Sequence, residues 1–267
     1  MAAENFWGSI AEQLGGDRVK VTSIIDNPDA DPHDYEPTAQ DARKVADADY
    51  VIVNGVGYDA WAPRLLAANP SDDRTVLDVG ELIGVEEGGN PHRWYSPADV
   101  HQVIDRITAD YKKLEPAGSV YFDDRKSDFE NKALARYDDL IAAIKEKYTG
   151  TPIGASESIV TPLAEALGLR ILTPEAFLDA MSEGTDPTAR DKAAADRQIA
   201  NKQIKIYIYN SQNSTPDVTA QVKAAKEAGI PVATVTETPI PPDTAFQDWQ
   251  VAQLEDIEGA LAKGTGP

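Results

Sequence analysis

A histidine held between two prolines is the residue in this sequence whose type and setting best suit ligand binding. His33 lies in the segment Asp31-Pro32-His33-Asp34-Tyr35-Glu36-Pro37. Each proline fixes its own φ and favours an extended conformation in the residue before it, so the backbone that carries the imidazole is stiff. A stiff polar loop suits a ligand. A solvated surface turn is an equally good interpretation of these seven residues alone.

Three more residues stand in comparable positions. His92 follows Pro91 just before a predicted helix, and Glu157 and Glu237 each follow a predicted strand in the second half of the chain. Imidazole nitrogens and carboxylate oxygens together suit a first-row divalent cation. The four residues therefore predict a metal site, with two imidazoles from one lobe and two carboxylates from the other. A glutamate at a strand end is, by itself, most often a solvated or helix-dipole charge.

The elements that must position these residues alternate between strand and helix. Apolar runs of strand length occupy 19–25, 49–55, 75–79, 152–155, 170–172, 204–210 and 231–236. Helical spacing of apolar residues occupies 6–14, 38–48, 59–68, 98–114, 159–167, 188–202, 216–229 and 245–262. Such alternation predicts parallel sheets covered by helices, in which ligands bind beyond the carboxyl ends of the strands. His101 falls inside a helical run, and we expect it to be structural.

A long run between the two halves sets the predicted domain organisation. Residues 120–148 contain no glycine or proline, and one straight helix of this length would span roughly 40 Å. We therefore predict an N-terminal α/β lobe over 1–117, a linking helix over 118–149 and a C-terminal α/β lobe over 150–267. The predicted fold class is α/β, with two lobes that each hold a mainly parallel sheet flanked by helices, joined by one long rigid helix.

The composition excludes several classes of function. The 267 residues carry 45 acidic and 25 basic side chains, a formal charge of −20, which repels nucleic acids and anionic membrane surfaces. There is no cysteine, which excludes disulfides, thiolate zinc sites and cysteine nucleophiles. No apolar run approaches the roughly 20 residues that span a bilayer. We expect the chain to begin inside or just before its first strand, with any export signal removed.

The histidine motifs resemble those of a known family. Residues 31–37 resemble the D-P-H-x-Y-E-P signature of the metal-binding proteins of manganese and zinc ABC importers, the cluster A-I or TroA-like family. Residues 90–97, Asn-Pro-His-Arg-Trp-Tyr-Ser-Pro, are similar to its D/N-P-H-x-W-x-x-P motif, and Ser156-Glu157 to its S-E or S-H pair. The resemblance extends over essentially the whole chain, including the long linking helix.

The resemblance implies a set of metal ligands. It makes His33 and His92 the ligands of the first lobe and Glu157 the third ligand. Glu237 falls where the family usually has aspartate, and Asp243 is the alternative for the fourth position. Zinc-selective members tend to have histidine at the third position and a histidine-rich acidic loop. Here the third position is Glu157 and the loop 81–90 contains no histidine, which favours manganese, with zinc next.

The resulting hypothesis is an extracytoplasmic solute-binding protein, periplasmic or lipid-anchored. It would capture Mn²⁺ or Zn²⁺ in the cleft between its lobes and deliver the ion to the permease of an ABC importer. We expect a monomer that catalyses no reaction. A metal-dependent hydrolase is one alternative, because two histidines and two carboxylates can also hold a catalytic ion, although the sequence has no H-E-x-x-H and no nucleophile elbow. A surface adhesin with incidental metal binding is the other.

Overall fold

Two parallel sheets organise the chain. The structure is a computed structural model that describes residues 1–28, 35–213 and 215–266. Contacts divide the chain into two compact units, one formed by Met1–Ala135 with Thr238–Asp248 and the other by Arg136–Glu237 with Trp249–Pro267. Each unit contains a four-stranded sheet in which all paired strands are parallel. The predicted α/β class with parallel sheets flanked by helices is confirmed.

The first unit is built on strands β1 Ala2–Glu4, β2 Ser23–Ile25, β3 Tyr50–Val53 and β4 Thr75–Asp78. They lie in the order β2-β1-β3-β4. The helices are α1 Asn5–Gly15, α2 Ala39–Ala46, α3 Trp61–Ala68, α4 Val79–Ile83, α5 Pro97–Leu114 and α6 Ser119–Asp128. The chain therefore begins in a strand, as expected, and this strand occupies the centre of the sheet.

The second unit repeats this strand order. Its strands are β5 Pro152–Ala155, β6 Arg170–Ile171, β7 Ile206–Asn210 and β8 Val232–Val235, in the order β6-β5-β7-β8. Its helices are α7 Ala135–Tyr148, α8 Thr161–Ala166, α9 Glu175–Ser182, α10 Ala189–Ala200, α11 Pro216–Glu227 and α12 Phe246–Thr265, the last belonging to this unit from Trp249 onward. The predicted alternation of strand and helix in the second half is confirmed, with α9 as an added helix.

The structure corrects the expectation of one continuous linking helix. A π-helical turn, Phe129–Ala133, and a bend at Leu134 separate α6 from α7. The amide of Leu134 donates to the carbonyl of Phe129, five residues back, at 2.9 Å. The side chains of Phe129 and Leu134 are both buried. They are five residues apart, whereas side chains on one face of an α-helix are three or four residues apart. The π turn contains one residue more than an α-helical turn and so places both side chains in the core. No glycine or proline marks its position in the sequence.

Helix α5 begins where the sequence predicts and packs against α1, α4 and α6. The Ser96 hydroxyl accepts a hydrogen bond from the amide of Asp99, and Pro97 fills the first turn. The apolar face of α5 is buried through Val100, Val103, Ile104, Ile107 and Tyr111.

Among the described residues, no helix combines the length and the apolar character needed to cross a bilayer.

A buried carboxylate ties the end of α5 to strand β3. Asp110 is 1% exposed and accepts hydrogen bonds from the Tyr50 hydroxyl at 3.2 Å, from Arg106 Nε at 2.7 Å and from Lys113 Nζ at 2.8 Å. Burial by itself would raise the pKa of Asp110, but the hydrogen bonds from Lys113 and Arg106 outweigh it and hold the pKa below its ordinary value. The folded state therefore stabilises the ionised carboxyl.

We expect Asp110→Asn to lower the free energy of unfolding by about 1–2 kcal/mol at neutral pH, because it removes the charged acceptor of three hydrogen bonds. The loss stays this small because solvent screens part of the pairing with the two exposed cations. The stabilisation by the carboxylate is present above its unfolded pKa and is lost as pH falls through the lowered folded pKa. The difference from the wild type should therefore shrink in acid. Urea unfolding at several pH values measures this. Asp123→Asn, an exposed partner of Lys112, is the control and should change stability by less than about 0.5 kcal/mol.

Candidate metal centre

One asparagine amide joins the two predicted carboxylate ligands in the second unit. Asn210 ends β7, while Glu157 and Glu237 each lie two residues beyond the neighbouring strands β5 and β8. Asn210 Nδ2 donates to Glu157 Oε2 at 3.0 Å and to Glu237 Oε1 at 3.1 Å. Two carboxylates 80 residues apart in sequence are thus held side by side at the carboxyl edge of the sheet.

Glu157 is fixed through the residue that precedes it. The Ser156 amide donates to the carbonyl of Ile208 at 3.0 Å, which continues the β5–β7 pairing by one residue. The Ser156 hydroxyl accepts from the amide of Asn210 at 3.0 Å. Ser156 and Glu157 are both buried, at 0% and 2% exposure. The backbone that carries Glu157 is therefore bonded directly to the strand that carries Asn210.

Glu237 is fixed by the loop after β7. Its amide donates to Gln212 Oε1 at 2.5 Å, and the amide of Gln212 donates to Asn210 Oδ1 at 3.0 Å. Because a backbone N–H can only donate, the Asn210 atom that faces it must be the oxygen, and its NH₂ group must face the two carboxylates. The orientation of the Asn210 amide is therefore determined by its neighbours.

Side chains of helix α12 bind the residue that precedes Glu237. Trp249 Nε1 donates to Thr236 Oγ1 at 2.8 Å, and the amide of Thr236 donates to Gln253 Oε1 at 2.8 Å. Thr236 directly precedes Glu237, so two successive backbone amides leading to the carboxylate's attachment point donate to side chains, those of Gln253 and Gln212. Partners of this kind, which orient a ligating side chain without touching the ion, are typical of metal sites.

Asn210 is a candidate functional residue that the sequence alone does not identify. The sequence predicts a strand over 204–210, and the amide at its end is not among the predicted ligands. The signal available was a polar residue at the carboxyl end of an otherwise apolar strand. Its meaning depends on the strand order β5-β7-β8, which places that strand between the two that carry the glutamates.

His92 is buried in the first unit, and its ring tautomer follows from its contacts. The side chain is 1% exposed, and Nδ1 lies 2.9 Å from Asn90 Oδ1. The amide of His92 donates to the same Asn90 atom at 3.0 Å, which identifies that atom as the oxygen. Nδ1 must then carry the proton, and in the neutral ring Nε2 carries the lone pair. A ring held by a hydrogen bond at Nδ1 and ligating through Nε2 is a common arrangement at metal sites.

Aromatic side chains fix the plane of the His92 ring. Tyr58 and Trp94 contact it edge to face, at centroid distances of 6.1 and 5.3 Å. Trp94 in turn stacks on Phe6 of α1 at 4.1 Å. Edge-to-face pairs of this kind restrict ring orientation as well as burying apolar area. The imidazole is therefore held by rigid groups before any ion binds.

The loop that carries His92 is also bonded to the end of β3. Asn54 follows β3, and its Nδ2 donates to the carbonyl of Pro91 at 2.9 Å. Trp7 Nε1 donates to Asn54 Oδ1 at 3.0 Å, which sets the amide orientation. Both units thus use an asparagine at the carboxyl end of the third strand in chain order, Asn54 after β3 and Asn210 in β7, to hold a candidate ligand.

His33 lies outside the described residues, so its role stays a prediction. The residues that follow it are well anchored. The Tyr35 hydroxyl donates to Asp41 Oδ2 at 2.9 Å, and its ring packs against Trp61 at 5.1 Å. Burial and the neighbouring Asp41 carboxylate raise the pKa of Tyr35 to about 12. Asp41 also completes a capping box with Thr38 at the start of α2. The segment after His33 is therefore joined to α2 and α3.

Asp243, the alternative fourth ligand, lies in the first unit and has different neighbours. It lines a cavity of about 260 Å³ together with Asn5, Ser9, Glu12 and Asp26. The Asn5 amide donates to the carbonyl of Pro242 at 3.4 Å, which holds this segment against the start of α1. Within the described parts of the chain, no three histidine, aspartate or glutamate side chains are gathered closely enough to hold a metal ion.

We expect Asn210→Ala to weaken binding of Mn²⁺ and Zn²⁺ by about 10- to 100-fold, because loss of a partner that orients the ligands typically reduces metal affinity by this factor. Competition titration against a chelator measures the change. Asn201→Ala, an exposed asparagine at the end of α10, is the matched control and should bind as the wild type does. Equal affinities for the two variants would show that the amide does not organise the carboxylates.

Comparison with known proteins connects these features with metal receptors. The sequence matches the family described as "ZnuA: Zinc-uptake complex component A periplasmic" over residues 1–260. The manganese-binding lipoprotein MntA of Bacillus subtilis is 28% identical over 231 residues, covering 82% of this chain and 72% of MntA. The zinc-binding lipoprotein AdcA of Streptococcus pneumoniae is 26% identical over 284 residues, covering 95% of this chain. The chain spans 53% of the length of AdcA.

Solved structures show the same fold. The manganese-bound periplasmic metal-binding protein of Candidatus Liberibacter asiaticus superposes with a TM-score of 0.80 at 20% identity, over 97% of this chain and 98% of that one. A crystal structure of ZnuA superposes with a TM-score of 0.75 at 19% identity, over 99% of this chain and 98% of that one. With a family match over nearly its whole length and the matching two-sheet fold, this chain belongs to the ZnuA family of periplasmic zinc-uptake components.

Proposed function

We propose that this protein is an extracytoplasmic receptor that captures a divalent transition metal and delivers it to the membrane permease of an ABC importer. Its ligands are His33, His92, Glu157 and Glu237. The observation that carries the proposal is the pairing of Glu157 and Glu237 on the Asn210 amide. Two carboxylates that a neutral amide holds together gain little from each other, because their charges repel, and a bound cation would stabilise both.

The geometry of His92 supports the same function. Its Nδ1 is engaged by Asn90, so the neutral ring presents the lone pair of Nε2 to a ligand. Metal binding needs an ordered imidazole that offers a nitrogen lone pair, and the hydrogen bond at Nδ1 and the aromatic contacts supply the order. Capture then spends little free energy on ordering the ligand.

The relatives support the cellular role. AdcA is named a zinc-binding lipoprotein and MntA a manganese-binding lipoprotein, and PsaA of Streptococcus anginosus is named a manganese ABC transporter substrate-binding lipoprotein. We extend this role to the present chain, with a location outside the cytoplasm, either periplasmic or lipid-anchored, and a monomeric state. The protein binds and releases its cargo and catalyses no reaction.

Manganese is the favoured cargo and zinc the next. Two carboxylate oxygens make the site harder than a site with three imidazoles, and hard oxygen ligands suit Mn²⁺. The loop 81–90 contains no histidine that would add a softer ligand. Zinc nevertheless binds most mixed nitrogen and oxygen sites more tightly than manganese does, so preference must come from the number and geometry of the ligands.

We expect the wild type to bind one equivalent of Mn²⁺ or Zn²⁺, and His92→Ala and Glu157→Gln each to weaken binding by more than about 100-fold, a larger loss than removal of an orienting partner gives. Elemental analysis of protein purified without added metal, followed by competition titrations of the two ions, measures both stoichiometry and affinity. His101→Ala is the histidine control, because His101 lies on α5 beside Glu130. A wild type without stoichiometric metal would refute the proposed function.

The fourth ligand can be tested separately. Glu237 shares the Asn210 amide with Glu157, whereas Asp243 lines another cavity, so we assign the role to Glu237. Glu237→Gln should weaken Mn²⁺ binding by at least about tenfold because it removes a charged ligand, whereas Asp243→Asn should stay within about twofold of the wild type. The reverse result in the same chelator competition would assign the position to Asp243.

A further inference from the structure

A buried aspartate beyond β3 has no part in the site described so far. Asp59 is 1% exposed. Its Oδ2 accepts a hydrogen bond from the amide of Asn54 at 2.7 Å, and its Oδ1 accepts one from the amide of Gly55 at 2.9 Å. Burial raises the pKa of Asp59 to about 6, although these two hydrogen bonds favour the ionised form. Both carboxylate oxygens therefore bind the first two residues after the strand.

Residues 54–59, the β3 turn, have a strained backbone. Gly55, Val56 and Gly57 have φ values of 72°, 56° and 79°. A positive φ is ordinary for glycine but unfavourable for a β-branched residue such as valine. Such a conformation persists only when its surroundings enforce it. The Asp59 carboxylate enforces it at the start of the turn, because it binds the two amides that lead into the strained residue.

The β3 turn is bonded to the loop that carries His92. Asn54 Nδ2 donates to the carbonyl of Pro91, which directly precedes His92, at 2.9 Å. The same asparagine donates its backbone amide to Asp59. Two successive hydrogen bonds thus join the Asp59 carboxylate to the residue before the candidate ligand.

Packing joins the same two segments. A Cβ placed on Gly89 would lie 3.8 Å from Val56 Cγ1, so the strained residue lies against the start of the His92 loop. Tyr58, also in the β3 turn, contacts the His92 ring edge to face at 6.1 Å. The position of the turn therefore affects the loop through apolar contacts as well as through hydrogen bonds.

We propose that Asp59 is a positioning residue for the metal site, whose carboxylate fixes Asn54 and the β3 turn and thereby holds the His92 loop in its binding position. This assignment rests on the proposed function for its purpose. The hydrogen bonds that carry it, however, belong to the metal-free protein.

Loss of the carboxylate should release this support step by step. The amides of Asn54 and Gly55 would lose their buried acceptor, and Val56 could relax to a negative φ. The Asn54 side chain would then no longer be held beside the Pro91 carbonyl. The imidazole after Pro91 would lose its fixed position, and with it the single tautomer that its Nδ1 contact imposes.

The test compares wild type with Asp59→Asn, Asn54→Ser and the control Asp110→Asn. Asp59→Asn places an NH₂ group opposite a backbone N–H, so one of the two amides loses its acceptor. Asn54→Ser keeps the Asp59 charge and the backbone amide that binds it, but it lacks the Nδ2 donor to Pro91. Asp110→Asn is the same substitution at an equally buried carboxylate, one that binds the end of α5 to β3.

Three measurements separate positioning from stability. The first is the ¹⁵N spectrum of the His92 ring in the metal-free protein, which is assignable because the chain has only three histidines. The second is chelator competition with Mn²⁺ and Zn²⁺. The third is urea unfolding, which shows how much stability each variant has lost.

We expect Asp59→Asn and Asn54→Ser to shift the His92 ring signals away from the Nδ1-protonated pattern and to weaken binding of both ions by about tenfold, as loss of an orienting partner typically does. Asp110→Asn should lose stability but keep the wild-type His92 signals and bind both ions within about twofold of wild type. Agreement between the first two variants assigns the effect to position, because only Asp59→Asn removes a negative charge that attracts a cation.

Wild-type His92 signals in Asp59→Asn would overturn the proposal. So would weaker binding in Asp59→Asn with no change in Asn54→Ser, because the carboxylate would then act only through its charge. If Asp59→Asn does not fold, the same comparison is made in a Val56→Gly background, in which glycine adopts the positive φ without strain. The His92 signals must then shift relative to Val56→Gly alone.

The proposed function can fail independently of this inference. A wild type that binds no metal, together with the expected His92 shifts in Asp59→Asn, would refute the proposed function and support the positioning of the loop. A wild type that binds metal, together with unchanged His92 signals in Asp59→Asn, would refute only the role of Asp59.

Discussion

A single amide that serves two carboxylates is the interaction on which the second unit's site depends. Asn210 has two N–H groups, and both are used, one for Glu157 and one for Glu237. The carboxylates can reach it because β7 lies between β5 and β8 and all three strands are parallel, so their carboxyl ends meet at one edge. The neutral amide orders the carboxylates without cancelling their charge. The two candidate ligands are therefore already aligned before any ion binds.

The first unit orders its candidate ligand, His92, by other contacts with the same result. His92 is held by Asn90 at one ring nitrogen, by aromatic edges on its sides and by the Asn54–Pro91 hydrogen bond behind it. Asn54 is in turn held by the buried Asp59 carboxylate, at the start of a strained turn in which Gly55, Val56 and Gly57 have positive φ. Strain and buried carboxyl groups oppose folding, and proteins retain such features mainly at functional sites. Their concentration behind His92 is consistent with a site whose geometry matters more than its contribution to stability.

Much of the fold was predictable because its signals are local. Apolar runs in 49–55 and 204–210 have strand length and composition, and Ser96-Pro97 marks the start of α5. The break at 129–134 was not predictable, because a π turn follows from which side chains are buried and leaves no glycine or proline in the sequence. The strand Ala2–Glu4 could not be bounded either, since alanine and glutamate are poor strand formers and its burial between β2 and β3 decides its conformation.

The sequence by itself determined the α/β class, the alternation of strands and helices, and the candidate ligands His33, His92, Glu157 and Glu237, because proline-flanked histidines and residues at strand ends are visible along the chain. Tertiary structure decided which strands are neighbours, and therefore that Asn210 joins Glu157 to Glu237 while Asp243 lies elsewhere. It also revealed that the buried Asp59 carboxylate accepts hydrogen bonds from the amides of Asn54 and Gly55. Asn210 is 53 residues from Glu157 and 27 residues from Glu237 in sequence, and only the folded sheet brings them within hydrogen-bonding distance.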